Sequence, residues 1–148
     1  MSKLLLRCQF HDIIEIYTGD IISYVKRATP EFENEVENIE KIFFEQFKEK
    51  IPKSWREDFK NFIFNAKDKS IEGKILKASD SIDVLRESIR EIKLGNKKTF
   101  IEVLNNTLNA LLKIDLPSVK FFLKNEIESF GIDKKYIDKD VLNQIEKL

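Results

Sequence analysis

Residues 71–95, IEGKILKASDSIDVLRESIREIKLG, carry the most regular hydrophobic pattern in the chain. Apolar residues recur there in alternating steps of four and three, which is the spacing that lines one face of an α-helix. These residues are Ile71, Ile75, Ala78, Ile82, Leu85, Ile89 and Ile92. Gly95 provides the left-handed stop that commonly follows a helix. The pattern predicts one helix of about six turns, either buried at the centre of the fold or paired with a second copy of the chain.

The sequence on both sides of this segment also predicts helices and contains no strand pattern. The chain has only four glycines and three prolines, and nearly all stand where helices should begin or end. Thr29-Pro30 predicts the start of a helix that runs to about Lys50, and Pro117 predicts another that Gly131 ends. The length of 148 residues, without an internal repeat or a long linker, predicts a single domain over 1–148 with an all-α fold.

The composition excludes several classes of function. Lys plus Arg equals Asp plus Glu at 26 each, so no net field attracts nucleic acid or an anionic membrane surface, and only a local basic patch is left as an alternative. No apolar run approaches the roughly 20 residues that a membrane span needs. The single cysteine, Cys8, excludes an internal disulfide and a thiolate metal cluster. We therefore expect a cytoplasmic protein that binds neither nucleic acid nor membrane.

The first quarter of the chain contains the candidate chemistry, in the stretch HDIIEIYTGD at residues 11–20. The pattern predicts a helix from about Lys3 to Tyr17, on which His11 and Glu15 share a face and Asp12 lies about 100° away. An imidazole beside carboxylates suits either a divalent metal or acid–base chemistry. A single histidine on a largely apolar helix is more often a packed or surface residue, so the spacing alone leaves both interpretations open.

Asp80 has an ambiguous position on the helix predicted for residues 71–92. It lies about 200° from Ala78 and Ile82, so the periodicity assigns it to the solvent face. Leu76 and Val84 stand four residues to either side of it, however, and make that face partly apolar. The wall of a pocket is the alternative location.

Two separate stretches together resemble a known family. FHDIIEIYTGDIISYVKRATPEFENEVENIEKIF, residues 10–43, has a His-Asp pair, a Glu one turn later, Thr-Gly-Asp, and Val-Lys before a Glu-rich helix. KILKASDSIDVLRESIREIKLGNKKTF, residues 74–100, has Lys, small residues and Asp, then Gly-Asn ahead of Phe. In both stretches the chain resembles the HD-domain metal-dependent phosphohydrolases, in their YfbR-like 5′-deoxynucleotidase branch. The resemblance extends from about Leu4 to Phe122.

The resemblance implies an HD-domain helical bundle of about six to seven helices around a divalent metal. His11 and Asp12 match the family's metal-binding doublet, and Asp80 matches its distant metal ligand. Mn, Co or Mg is the ion expected of such a mixed set of nitrogen and oxygen ligands. By resemblance, therefore, Asp80 belongs to a metal site.

The resemblance also implies roles for four further residues. Glu15 and Asp20 match catalytic acidic residues that orient or activate water and contact the substrate, and Lys26 and Lys77 match basic positions assigned to substrate binding. The implied partner is a nucleotide or other small phosphomonoester, and the implied assembly is a homodimer. The implied reaction of this phosphoric monoester hydrolase converts a deoxynucleoside 5′-monophosphate to a deoxynucleoside and phosphate.

One departure from the family pattern changes this expectation. Family members carry another metal-binding histidine on a helix before the doublet, whereas His11 is the only histidine in this chain. We therefore expect the chain to be N-terminally short relative to the family, as a fragment, a mis-started reading frame or a natural short form. The alternative to an enzyme is a degenerate HD domain that serves as a helical interaction or structural module.

Overall fold

The computed structural model describes residues 3–21, 23–26 and 28–148, and within them the regular structure is helical, without a β-strand. Seven α-helices of five or more residues lie in these ranges, which confirms the predicted all-α class. The chain divides into two compact units, residues 1–68 and 69–148. The single domain over 1–148 stays a prediction.

The first unit is built on one long helix. Its elements are α1 (Lys3–Phe10), α2 (Glu15–Thr18), α3 (Ser23–Lys26), α4 (Pro30–Lys48), a 3₁₀ turn (Lys53–Trp55) and α5 (Arg56–Phe64). The long helix, α4, begins as predicted, because the Thr29 side chain accepts a hydrogen bond of 3.2 Å from the Phe32 N–H and Pro30 fills the first position. Val36 and Phe44 are its buried residues.

The predicted first helix is wrong in one respect, because it is interrupted at His11. The α1 helix ends at Phe10, and the Glu15 N–H then donates to the Asp12 carbonyl, only three residues back. The reason is local: Nδ1 of His11 lies 3.2 Å from the carbonyl oxygen of Cys8, the group that would accept from Asp12 in a continuous helix. The side chain thus competes with the helical hydrogen bonds and tightens the turn.

Phe59 on α5 is the centre of an aromatic cluster in the first unit. Its ring centroid lies 4.5 Å from that of Phe10, and Phe47, Phe62 and Trp55 follow at 6.4, 6.4 and 6.5 Å. Such tilted and offset ring pairs stabilise a fold beyond the area that they bury. The cluster therefore fixes α1 against α5.

The second unit consists of α6 (Ile71–Leu94), α7 (Lys97–Leu112), α8 (Pro117–Phe121) and α9 (Lys139–Glu146). The predicted stripe on α6 is buried at Ala78, Leu85, Ile89 and Ile92 and belongs to a core shared with α7. The core residues of α7 are Leu104, Leu108 and Leu111. Of the two predicted alternatives, a buried central helix therefore describes α6 in this unit.

The ends of the helices in the second unit follow the glycines. Gly95 ends α6 with a φ of 105°, and its N–H donates to the carbonyls of Glu91 and Ile92. The helix that starts at Pro117 stays α-helical only to Phe121 and continues as a π-helical turn over Phe122–Glu126. None of the described helices is long and apolar enough to cross a membrane.

Candidate active site

A cavity of about 840 Å³ lies in the first unit. Pockets for small organic ligands are commonly of this size. Five predicted site residues line it, namely His11, Asp12, Glu15, Asp20 and Lys26. The structure therefore brings together every predicted site residue of the first unit.

The His-Asp doublet, His11 and Asp12, forms one wall of this cavity. Nε2 of His11 lies 2.9 Å from Oδ2 of Asp12, while Nδ1 faces the Cys8 carbonyl oxygen. Both partners are hydrogen-bond acceptors, and a neutral imidazole carries only one N–H. In the tautomer that carries its proton on Nδ1, Nε2 presents a lone pair beside the carboxylate oxygen. This geometry suits a metal-binding pair.

Glu15 stands among other carboxylates on the same wall. Burial raises the pKa of Glu15, and the charges of Asp12 and Asp20 raise it further. His11 and Lys67 act in the opposite direction and lower the pKa of the Glu15 carboxyl. Asp12 and Asp20 are thus close enough to Glu15 to disfavour its charged form, and a cation beside the three carboxylates would relieve their repulsion.

Gly19 places Asp20 at the rim of the cavity. The Gly19 N–H closes the short helix α2 by donating to the Glu15 carbonyl at 2.8 Å. The φ of Gly19 is +72°, a conformation that residues with a Cβ rarely adopt. The chain therefore turns sharply after Thr18 and leaves Asp20 exposed.

Lys26 lines the cavity, and its ammonium group forms an ion pair with Glu40. Its Nζ donates to Oε1 of Glu40 on α4 at 2.7 Å, and both side chains are partly buried. This ion pair ties α3 to α4. A substrate would have to compete with Glu40 for the ammonium group.

Sequence reasoning missed three lysines on the cavity wall. These are Lys41 on α4, Lys60 on α5 and Lys67 in the turn that follows α5. No spacing rule distinguishes them from lysines on a solvated helix face. Only the effect of Lys67 on the pKa of Glu15 marks one of them as close to the predicted chemistry.

Asp80 and Lys77 lie on α6, in the second unit. Periodicity alone placed Asp80 on the solvent face, but its side chain is half-buried. The reason is that this face is mixed, since Leu76 is buried while Val84 is 42% exposed. Lys77 is exposed. That Asp80 shares an ion with His11 and Asp12 stays a prediction.

A divalent metal needs more ligands than the doublet provides. Within residues 3–21, 23–26 and 28–148, no three His, Cys, Asp or Glu side chains are grouped so as to hold a metal ion. The doublet itself supplies an imidazole nitrogen and a carboxylate oxygen, which suit Mn, Co or Mg. His11 and Asp12 could thus bind a cation through one atom each, and further ligands would have to complete its coordination.

Comparison with known proteins identifies similar sequences over most of the chain. The family described as 5′-deoxynucleotidase YfbR-like matches residues 1–130. A 5′-deoxynucleotidase of Yersinia pseudotuberculosis is 25% identical over 142 residues, which are 96% of this chain and 72% of that protein. A 5′-deoxynucleotidase of Shewanella oneidensis is 30% identical over 132 residues, 88% of this chain and 66% of that protein.

A solved structure has a similar fold. It is the crystal structure of an HD-domain phosphohydrolase from Listeria innocua, with a TM-score of 0.75 and 30% sequence identity. The match covers 98% of this chain and 72% of that one. The helical arrangement described above is therefore similar to an HD-domain fold.

Proposed function

The chain belongs to the YfbR-like 5′-deoxynucleotidase family, and from that premise we propose that it is a metal-dependent HD phosphohydrolase acting on deoxynucleoside 5′-monophosphates. The products are a deoxynucleoside and phosphate. The 5′-deoxynucleotidase relatives and the HD-domain phosphohydrolase structure support the proposal. The observation that carries it is the contact between His11 and Asp12 on a cavity wall that also holds Glu15 and Asp20.

In this proposal His11, Asp12 and Asp80 are the protein ligands of the divalent ion, which is Mn, Co or Mg. Asp80 is included because it follows the doublet in the order of the family motifs. A bound divalent cation would lower the pKa of a water molecule and would compensate the negative charge that develops on the phosphate. His11 and Asp12 would each provide one of the atoms that bind the ion, and both residues lie on the cavity wall.

The remaining residues act on water and substrate. Glu15 accepts a hydrogen bond from the attacking water and orients it toward phosphorus, which is the task of a general base. Asp20, exposed at the rim, contacts the substrate. Lys26 and Lys77 are proposed as substrate-binding residues, and Lys26 would exchange its Glu40 partner for the substrate.

The cellular setting of the proposal follows from the substrate. Because deoxynucleotides are made and used inside the cell, the proposed location is the cytoplasm. A homodimer is the proposed assembly, and light scattering on the purified chain measures it directly. A monomeric mass would contradict the dimer without affecting the proposed reaction.

Phosphate release tests the proposed reaction. The full chain is incubated with deoxynucleoside 5′-monophosphates and Mn, Co or Mg, beside Asp80→Ala and the matched control Asp83→Ala on the same helix. We expect Asp83→Ala to retain the wild-type rate and Asp80→Ala to lose it. Wild-type release no faster than that of Asp80→Ala would contradict the proposal.

A second candidate function is a degenerate HD domain that serves as a helical interaction or structural module. It is favoured by the lack of a three-residue metal cluster within the described parts of the chain. The stripe on α6 no longer favours it, because that stripe is largely buried in its own unit. Elemental analysis of metal-loaded, desalted protein separates the candidates, since one tightly bound ion per chain would contradict degeneracy.

A further inference from the structure

Arg7 on α1 donates hydrogen bonds to the segment that follows α5. Its Nη1 donates to the carbonyl oxygen of Ala66 at 2.8 Å and to Oδ1 of Asp68 at 2.7 Å, and its Nη2 donates to Oδ2 of Asp68 at 2.9 Å. The Arg7 side chain is only 13% exposed. A planar guanidinium that binds both oxygens of one carboxylate fixes direction as well as distance.

Lys67 lies between the two residues that Arg7 holds. Ala66 is buried at 3% exposure, and Asp68 is tied by both of its carboxylate oxygens. The backbone is therefore fixed on both sides of Lys67, whose own side chain is exposed and lines the cavity. Arg7 thus holds the backbone from which the Lys67 side chain extends into the cavity.

A cation on the part of the wall near Glu15 favours phosphate binding in addition to the proposed metal ion. Asp12, Glu15 and Asp20 bring three carboxylates to the wall, and a phosphate dianion beside them is repelled. Lys67 is close enough to Glu15 to lower the pKa of that carboxyl, in opposition to the neighbouring acids. A lysine ammonium is a compact charge with three donors, well suited to phosphate oxygens.

Two other lysines of the wall are paired with acids of α4. Lys26 is bonded to Glu40 at 2.7 Å, and Nζ of Lys41 lies 3.6 Å from Oε2 of Glu37. Those two ammonium groups already compensate carboxylates of α4. Lys60 and Lys67, from α5 and the turn after it, add two further ammonium groups to the wall.

We propose that Lys67 binds the phosphate group of the substrate and that Arg7 is the residue that positions it, through its contacts with Ala66 and Asp68. This inference rests on the proposed function for the identity of the substrate. It concerns residues outside the metal ligands. Binding of inorganic phosphate therefore tests it separately from turnover.

The first experiment compares Lys67→Met and Lys67→Arg with Lys69→Met, which removes the same charge from a residue outside the cavity wall. Binding of inorganic phosphate to the full chain is measured by titration calorimetry, and KM and kcat for deoxynucleoside 5′-monophosphates are measured in parallel. Lys67→Met should weaken phosphate binding and raise KM roughly tenfold, the loss expected for one charge-assisted hydrogen bond, with a smaller change in kcat. Lys67→Arg should recover most of the loss, and Lys69→Met should match the wild type.

The second experiment tests the positioning role. Arg7→Lys keeps the charge but cannot hold both Asp68 oxygens, and Asp68→Asn weakens the same contact from the other side. Each should raise the phosphate dissociation constant several-fold while circular dichroism and metal content stay unchanged. Because Asp68→Asn removes a negative charge, weaker phosphate binding in that variant cannot come from simple electrostatics.

The outcomes separate this inference from the proposed function. A chain without turnover whose phosphate binding depends on Lys67 would contradict the proposed reaction and support the inference. An active chain in which Lys67→Met leaves both phosphate affinity and KM unchanged would overturn the inference alone. A chain that binds no phosphate, or loses binding only in Lys60→Met, would overturn it too.

Discussion

Nε2 of His11 and Oδ2 of Asp12 lie 2.9 Å apart on the wall of the cavity in the first unit. Adjacent residues on a continuous helix diverge by about 100°, so this contact depends on the interruption of the helix after Phe10. The same turn brings Glu15 to the cavity with the doublet. Local distortion of the helix is thus part of how the site is assembled.

Removal of either member of the doublet should remove the metal. We predict that His11→Ala and Asp12→Ala each weaken binding of Mn or Co at least 100-fold, because loss of a direct ligand should exceed the roughly 10- to 100-fold effect of losing an indirect partner. Elemental analysis and calorimetric titration measure this. Gln9→Ala, at a neighbouring exposed position, is the control. Equal metal content in all three variants would contradict the assignment.

Glu15→Gln should impair catalysis and stabilise the metal-free fold at neutral pH. Loss of a general base typically lowers kcat about 10²- to 10⁴-fold. Burial raises the pKa of Glu15 above its usual 4.5. The protonated Glu15 carboxyl therefore contributes fully to the stability of the folded state below pH 4.5, and this contribution is lost as pH rises through the pKa of the folded state. The melting temperature of the variant should therefore be higher than that of the wild type at pH 7 and equal to it at pH 4.

Thermal melting of the metal-free protein between pH 4 and pH 8 measures the effect. The control is Glu102→Gln, at an exposed position on α7, which should show no such dependence. Because Glu15 is only half-buried, a gain of a few tenths of a kcal/mol is expected. A lower melting temperature for Glu15→Gln at pH 7 would count against the electrostatic argument.

Leu85 should be one of the most sensitive positions in the second unit. Its side chain is fully buried in the core that α6 shares with α7, so Leu85→Ala should cost about 2–5 kcal/mol. Leu94→Ala on the same helix is the matched control, because Leu94 is 69% exposed and should lose about 0.5 kcal/mol or less. Urea unfolding measures both, and equal losses would contradict the described burial of α6.

Asn105 should matter because it joins α7 to the segment before α9. Its Nδ2 donates to the carbonyls of Ile101 and Tyr136 at 2.9 and 2.8 Å, and its Oδ1 accepts from the Asp138 N–H at 2.7 Å. Asn105→Ala leaves these backbone groups without their partner and should cost about 2–3 kcal/mol. The neighbouring Asn106 is exposed, and Asn106→Ala should be nearly neutral in the same unfolding experiment.

Patterns of local and helical spacing predicted much of the fold correctly. The α6 stripe is largely buried, Thr29 caps α4, and Gly95 ends α6 in the left-handed conformation, because each feature depends on residues within a few positions. The exception is Ile71, which is 63% exposed although it continues the stripe. At the first position of α6 it lies beyond the reach of the core.

The features that sequence missed depend on contacts between distant residues or on side-chain competition. The interruption at His11 comes from an imidazole that competes for the Cys8 carbonyl, which a hydrophobic period does not register. The position of Lys67 depends on Arg7, 60 residues earlier in the chain. For Asp80 the sequence left two locations open, and its half-burial opposes the solvent face given by its helical phase. Its predicted role came from the order of the motifs.

The most direct test of the proposed function is the dependence of phosphate release on a divalent metal. Release from deoxynucleoside 5′-monophosphates is measured for the full chain before chelation, after chelation and desalting, and after Mn, Co or Mg is restored. The predicted result is activity that disappears with the metal and returns with at least one of these ions, but not in Asp12→Ala. Release that persists unchanged after chelation, or that never exceeds that of Asp12→Ala, would contradict the proposed function.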